Sequence, residues 1–195
     1  MNTKSGTKEK ILIAAATLIY HKGFNHTGIQ EILNNAGVPK GSFYFHFTSK
    51  EDLGIQLIDY YGELFLPTFL EYLNGKEGTP VKRMRQMFNA FSMQFANNRF
   101  AGGCPIGNLS QEMGDLSENF REKLKASILG LRQLFAAFLE QAKDKSELPK
   151  NIDIAETADF IFSSWEGAIL QMKVMKSTQP LQIFEKMVFE KLLKS

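Results

Sequence analysis

Residues 24–53 read FNHTGIQEILNNAGVPKGSFYFHFTSKEDL, from Phe24 to Leu53, and this stretch decides the fold. It predicts three short helices with well-marked joints. Thr27 followed by Gln30 has the Thr-x-x-Gln form of a capping box just ahead of an apolar stripe. Ile29, Ile32, Leu33 and Ala36 follow the i, i+3, i+4, i+7 spacing, which buries one face of a two-turn helix. Gly37 supplies the left-handed residue that ends such a helix. Pro39 suits the first position of a second helix, over residues 39–46, because its missing N–H would be unpaired there anyway. That helix is too short to stand alone and must lean on its neighbours. Ser49, with Asp52 three residues on, caps a further helix. Helix, glycine turn and short helix make the helix-turn-helix pattern, whose second helix enters the major groove of DNA.

Outward from this stretch, the chain of 195 residues suits one large domain or a small and a medium one. At 44% hydrophobic and 23% charged it has the composition of a globular protein with a real core. The single Cys104 excludes an internal disulfide and suits a reducing, cytoplasmic setting. No apolar run is long enough to span a bilayer. The segment ILIAAATLIY follows a basic start, but Glu9 interrupts that start and no small-residue cleavage site follows. Its Ile11, Leu12, Ala15, Leu18 and Ile19 instead share one helical face. Helical patterns then continue over residues 49–72, 84–95, 105–113, 116–143, 152–176 and 180–193, and no strand pattern is present. The expected fold is all-α with about nine helices: a three-helix head over residues 1–50 and a larger helical body over 51–195.

Net charge is only +2, but its distribution is uneven. Residues 1–50 hold six lysines against Glu9 and Glu31, a net +4, while the rest of the chain is at −2. The basic end therefore coincides with the helix-turn-helix, as an anionic partner requires. Lys40 and Ser42 lie at the exposed start of the second helix, where base edges are reached. Gly41 lets the backbone approach the duplex. Tyr44, His46 and Lys50 have donors for phosphates, as does Thr27 at its helix start. The competing reading makes Tyr44 and His46 packing residues and Lys40 a solvated charge. Phe43 and Phe47, four apart, belong to the small core, which leaves Phe45 exposed. Neither metal-ligand spacing nor a phosphate loop is found, and no His or Cys lies near Cys104 in sequence. Neither a cofactor nor an enzymatic activity is expected.

Thr27, Ala36-Gly37-Val38, Lys40-Gly41-Ser42, Tyr44, His46-Phe47 and Ser49-Lys50-Glu51 together resemble the TetR family of bacterial repressors. Phe45 departs from that pattern, where Arg is frequent. The resemblance implies DNA contacts from the positions just named. It also implies an effector bound between helices of the body, for which Phe88, Phe91, Phe95, Cys104, Trp165 and Ile169 are the candidates. Met and Phe at helical spacing make a core in any case, and equally an adaptable pocket. Ala158, Ile161, Phe162, Trp165, Ile169 and Met172 form one late stripe, and Leu181, Phe184, Val188 and Leu192 another. The resemblance places these stripes, with Gly167, in a twofold four-helix interface whose contact surface includes Trp165 and Phe184.

The stretch Gly102 to Asn108 is similar to a Gly-Cys-x-x-Gly-Asn segment in one branch of the family, which implies a sensing role for Cys104. Independently, Pro105 at a helix start makes Cys104 the cap, with its sulfur facing unpaired N–H groups that favour thiolate. The alternative is a small packed hydrophobe. The expectation is thus a homodimeric, ligand-responsive repressor on a pseudo-palindromic operator, against the alternative of an effector-independent architectural DNA-binding dimer.

Overall fold

The computed structural model describes residues 3–194. Among them are nine α-helices and no strand: α1 (Thr3–Lys22), α2 (Ile29–Ala36), α3 (Gly41–His46), α4 (Lys50–Leu73), α5 (Pro80–Asn97), α6 (Pro105–Met113), α7 (Glu118–Asp144), α8 (Ile154–Met175) and α9 (Gln179–Met187). The all-α expectation is borne out. No helix among these residues is long and apolar enough to cross a membrane.

The chain packs as two compact units. One runs to Leu64 and takes in Pro105–Ser127; the other comprises Phe65–Cys104 and the chain from Ile128 onward. Helix α4 belongs to both, with Pro67 inside it.

In the first unit, Ile11, Ala15 and Ile19 of α1 are buried with Ile32, Leu33 and Phe43. The Tyr61 hydroxyl donates to the Ala16 carbonyl at 2.9 Å, and its burial pushes the phenol well above its ordinary pKa. The start of α4 is a reciprocal cap: Ser49 Oγ accepts from the Asp52 N–H at 3.0 Å, while Asp52 Oδ2 accepts from the Thr48 N–H at 2.8 Å. The turn after α2 is equally well determined. Gly37 takes φ 65°, its N–H reaching the Asn34 carbonyl at 3.3 Å, and the Val38 N–H reaches that of Leu33 at 3.1 Å.

Two local expectations are corrected. Thr27 does not cap α2, whose N-cap is Gly28 with no side-chain bond. The Thr27 hydroxyl instead donates back to the Gly23 carbonyl at 2.7 Å, inside the preceding turn. Pro39 does not open α3 either. The Ser42 N–H bonds the Pro39 carbonyl at 3.0 Å in a tight turn, and the helix begins at Gly41.

The second unit is built around Phe88 of α5. Its ring meets Trp165 at 4.7 Å and Phe184 at 4.9 Å, both edge-on, and stacks on Phe135 at 5.5 Å between centroids. This overturns the assignment of Trp165 and Phe184 to an intersubunit surface. They are 7% and 5% exposed within their own unit, because α5 offers a flat aromatic partner that completes their burial. Ala158, Ile161, Ile169, Met172, Leu181 and Val188 are buried in the same core. What α8 and α9 leave outside is Phe160, Leu170, Val174, Met175, Ile183 and Met187. The last helix does not run unbroken to residue 193, since Val188–Leu192 forms a π-helical turn.

The first unit contains one close approach with a sharp consequence. A Cβ on Gly54 of α4 would lie 2.4 Å from Phe120 and 2.6 Å from Phe24, whose rings meet edge-on at 5.0 Å. Overpacking of this kind costs about 1–3 kcal/mol. Gly54→Ala is therefore expected to lower the unfolding free energy by that amount, read as a lower urea midpoint, and Phe120→Leu in the same chain to recover part of the loss. An unchanged midpoint for Gly54→Ala would show that the two rings yield without cost.

Candidate functional site

Helix α3 has an inner and an outer side. Phe43 and Phe47 are 0% and 1% exposed, with ring centroids 5.4 Å apart, and they fix the helix to the first unit. Lys40 and Gly41 are exposed, Ser42 and His46 half-exposed. Tyr44 and Phe45 are 62% and 63% exposed, large fractions for aromatic side chains. The Phe45 ring stands edge-on to that of His46 at 5.0 Å. The sequence-named residues Lys40, Gly41, Ser42, Tyr44 and His46 are thus each at least partly accessible on this short helix.

Two of the named residues sit differently. Thr27 is 0% exposed, so its hydroxyl shapes the turn between α1 and α2 and is not presented outward. The Lys50 ammonium lies 4.5 Å over the Phe24 ring, at a half-buried position. Burial pulls its pKa below the ordinary lysine value, and the nearby Glu112 carboxylate opposes that shift. Glu112 also accepts from the backbone N–H groups of Phe24 and Asn25 at 3.1 and 3.0 Å, which ties α6 to the turn before α2. No local pattern reveals Glu112, because its partners lie 87 and 88 residues away.

In the second unit, Phe88, Trp165 and Ile169 are buried, and Phe91, Phe95 and Cys104 lie half-buried against the same core. Phe95 approaches Trp165 at 6.2 Å, and Phe91 approaches Phe69 at 5.6 Å. The Cys104 thiol hydrogen-bonds the carboxyl of Glu166. Burial pushes the Glu166 carboxyl up from its ordinary pKa, and the thiol bond pulls the other way. Sequence reasoning passed over Glu166, although it is the only charged residue between Phe160 and Met172. A single acid within an apolar helix was the available signal.

A polar cavity of about 540 Å³ lies elsewhere in this unit, lined by Lys76, Thr79, Arg83, Gln141, Asp144 and Glu147 among others. Arg83 is fully engaged there. Its guanidinium donates to the carbonyls of Tyr72, Leu73 and Gly78 and to Gln141 Oε1 at 2.7–3.2 Å, which satisfies the end of α4.

A helix-turn-helix whose second helix leaves Lys40, Gly41, Tyr44 and Phe45 exposed, carried by an all-helical chain, defines a DNA-binding regulator by class. The comparisons agree. Residues 11–57 match the family model described as bacterial regulatory proteins, tetR family, and residues 80–188 match the Tetracyclin repressor-like C-terminal domain. The chain is 32% identical to the transcriptional regulator AcuR of Cereibacter sphaeroides, covering 90% of this chain and 80% of that one. It is 30% identical to the transcriptional repressor NemR of Escherichia coli K12, covering 93% and 91%. The crystal structure of a TetR regulatory protein from Rhodobacter sphaeroides superposes with a TM-score of 0.88 at 31% identity, over 95% of this chain and 97% of that one. The chain belongs to the TetR family of transcriptional regulators.

The raised Glu166 pKa has a pH signature. At pH values between the ordinary carboxyl pKa and the raised folded one, the native state holds a proton that the unfolded chain releases. Stability contributed by this group therefore falls as pH rises through that window and is fully lost above the folded value. Glu166→Gln is expected to flatten this slope and to melt higher than the parent at neutral pH. Melting curves from about pH 4 to about pH 8 that stay parallel in the two proteins would contradict the assignment.

Proposed function

We propose that this chain is a homodimeric repressor, working in the cytoplasm, that leaves a pseudo-palindromic operator when a small molecule binds its body. Residues 1–50 form the DNA-binding domain in this reading, and residues 51–195 the effector-binding and dimerisation domain. The observation that carries it is the accessible side of α3, held outward by the burial of Phe43 and Phe47. Lys40, Gly41 and Ser42 reach base edges, while Tyr44, His46 and Lys50 donate to phosphates. Thr27 supports this face from within.

The effector enters among Phe88, Phe91, Phe95, Cys104, Trp165 and Ile169. An apolar or amphipathic molecule suits these walls, and the Cys104–Glu166 pair offers it a polar end or a sulfur nucleophile. Helix α4 is the lever, since it belongs to both units. By linkage, the effector binds the released state more tightly, and operator weakens effector by the same factor.

The dimer forms through the outer sides of α8 and α9. Phe160, Leu170, Val174, Ile183 and Met187 are exposed there, and Gly167 allows close approach. Two copies bring two short recognition helices to two half-sites.

Lys40→Ala and Tyr44→Phe are expected to weaken operator binding while leaving the melting temperature unchanged. If Lys40 meets phosphate, the salt slope falls by about one per contact; a base contact costs about 1–3 kcal/mol and alters sequence preference. Unchanged affinity in both variants would remove the assignment. Val174→Glu is expected to give folded monomers in sedimentation, because it places a charge in the interface. Phe184→Glu, by contrast, buries that charge in the monomer core and is expected to unfold the second unit. A Val174→Glu protein that stays dimeric would refute this face.

A further inference from the structure

The outward side of α3 carries a side chain that DNA phosphates do not call for. Successive residues of an α-helix are turned by about 100°, so Phe45 points about 200° away from Phe43. Phe43 is 0% exposed and Phe45 is 63% exposed, in accord with that geometry. Phe45 therefore faces opposite the core, in the direction in which α3 presents itself. Gly41, four residues earlier on the same side, is also exposed and adds no bulk there. Ser42 lies only about 60° round the helix from Phe45 and about 4.5 Å along it, so a helix reaching bases with Ser42 also brings Phe45 to the groove.

A phenyl ring has no donor and no acceptor. It gains nothing from phosphate oxygens or from the polar edge of a G·C pair. The bulkiest apolar group on the floor of the major groove is the 5-methyl of thymine, and apolar side chains discriminate by meeting it. The Phe45 ring also stands edge-on to the His46 ring at 5.0 Å.

We propose that Phe45 is a specificity-determining residue that reads a thymine in each operator half-site by packing against its 5-methyl group. This rests on the DNA-binding reading above. The test uses the full-length protein and a duplex selected by it from random-sequence DNA, with each thymine replaced in turn by deoxyuridine, which lacks only the methyl. One position per half-site is expected to lose about fourfold in affinity on that replacement, and both together the product of the two losses. Phe45→Ala, measured at low salt where phosphate contacts hold the complex, is expected to bind the thymine and deoxyuridine duplexes equally. Phe45→Leu is expected to keep part of the discrimination and serves as the measurement if Phe45→Ala binds too weakly. Tyr44→Phe is expected to leave the ratio unchanged. Wild-type affinity that is indifferent to deoxyuridine at every position would overturn the proposal while leaving DNA binding intact. So would the same ratio persisting in the Phe45 variants. If no duplex sequence is enriched at all, the DNA-binding reading itself falls.

Discussion

A helix of six residues closes too few hydrogen bonds to offset the entropy of forming its first turn. Helix α3 therefore exists because Phe43 and Phe47 are withdrawn from water. Their burial fixes more than position. With those two rings inside, the directions of Lys40, Ser42, Tyr44 and Phe45 follow from helical geometry alone. The Gly37 turn and the Ser49–Asp52 cap then close the segment at either end. Glu112 and Phe120, from a distant part of the chain, brace the same region through Phe24. The exposed side of α3 keeps its direction because its reverse side is a core.

The second unit follows the same rule on a larger scale. Phe88 gathers Trp165, Phe184 and Phe135, and that aromatic cluster determines which sides of α8 and α9 turn inward. Ion pairs at its margin add alignment. Arg85 holds Glu185 at 2.6 Å and Glu190 at 3.4 Å, and Arg132 pairs with Asp159. The hydrogen bond to Glu185 is the main reason the Arg85 guanidinium is held above its ordinary pKa. Partly exposed pairs of this kind contribute little stability each, so the packing of rings does most to hold the unit together. Apolar groups left outside, such as Val174 at 77% exposure, then stand out as surface that the monomer has no use for.

Glu166 belongs to neither pattern. A carboxyl half-buried among apolar neighbours, bonded to the Cys104 thiol, costs stability at neutral pH for as long as it ionises. A residue that burdens the fold and sits beside the only cysteine is consistent with a role in binding. Both residues lie in the part of the chain that matches the Tetracyclin repressor-like C-terminal domain.

Features that depend on residues within one or two helical turns were legible before any folding was considered. The i, i+3, i+4 stripes, the Gly37 turn, the Ser49–Asp52 cap and the split between Phe43 and Phe45 are of this kind. Each rests on backbone geometry and side-chain reach that neighbours in sequence supply. Even at that range, Thr27 misled, because its hydroxyl had two backbone groups within reach and chose the Gly23 carbonyl. Which side of an apolar helix meets its own chain was settled at the level of packing. Trp165 and Phe184 read equally well as core or interface, since periodicity gives a face and not a partner. Phe88, far away in sequence, resolved the choice by completing their burial. The same holds for Glu112 at Phe24, Arg83 at the end of α4 and Glu166 at Cys104. Hydrogen bonds and close contacts between distant segments leave no period in the chain, so they become visible only once the helices have packed.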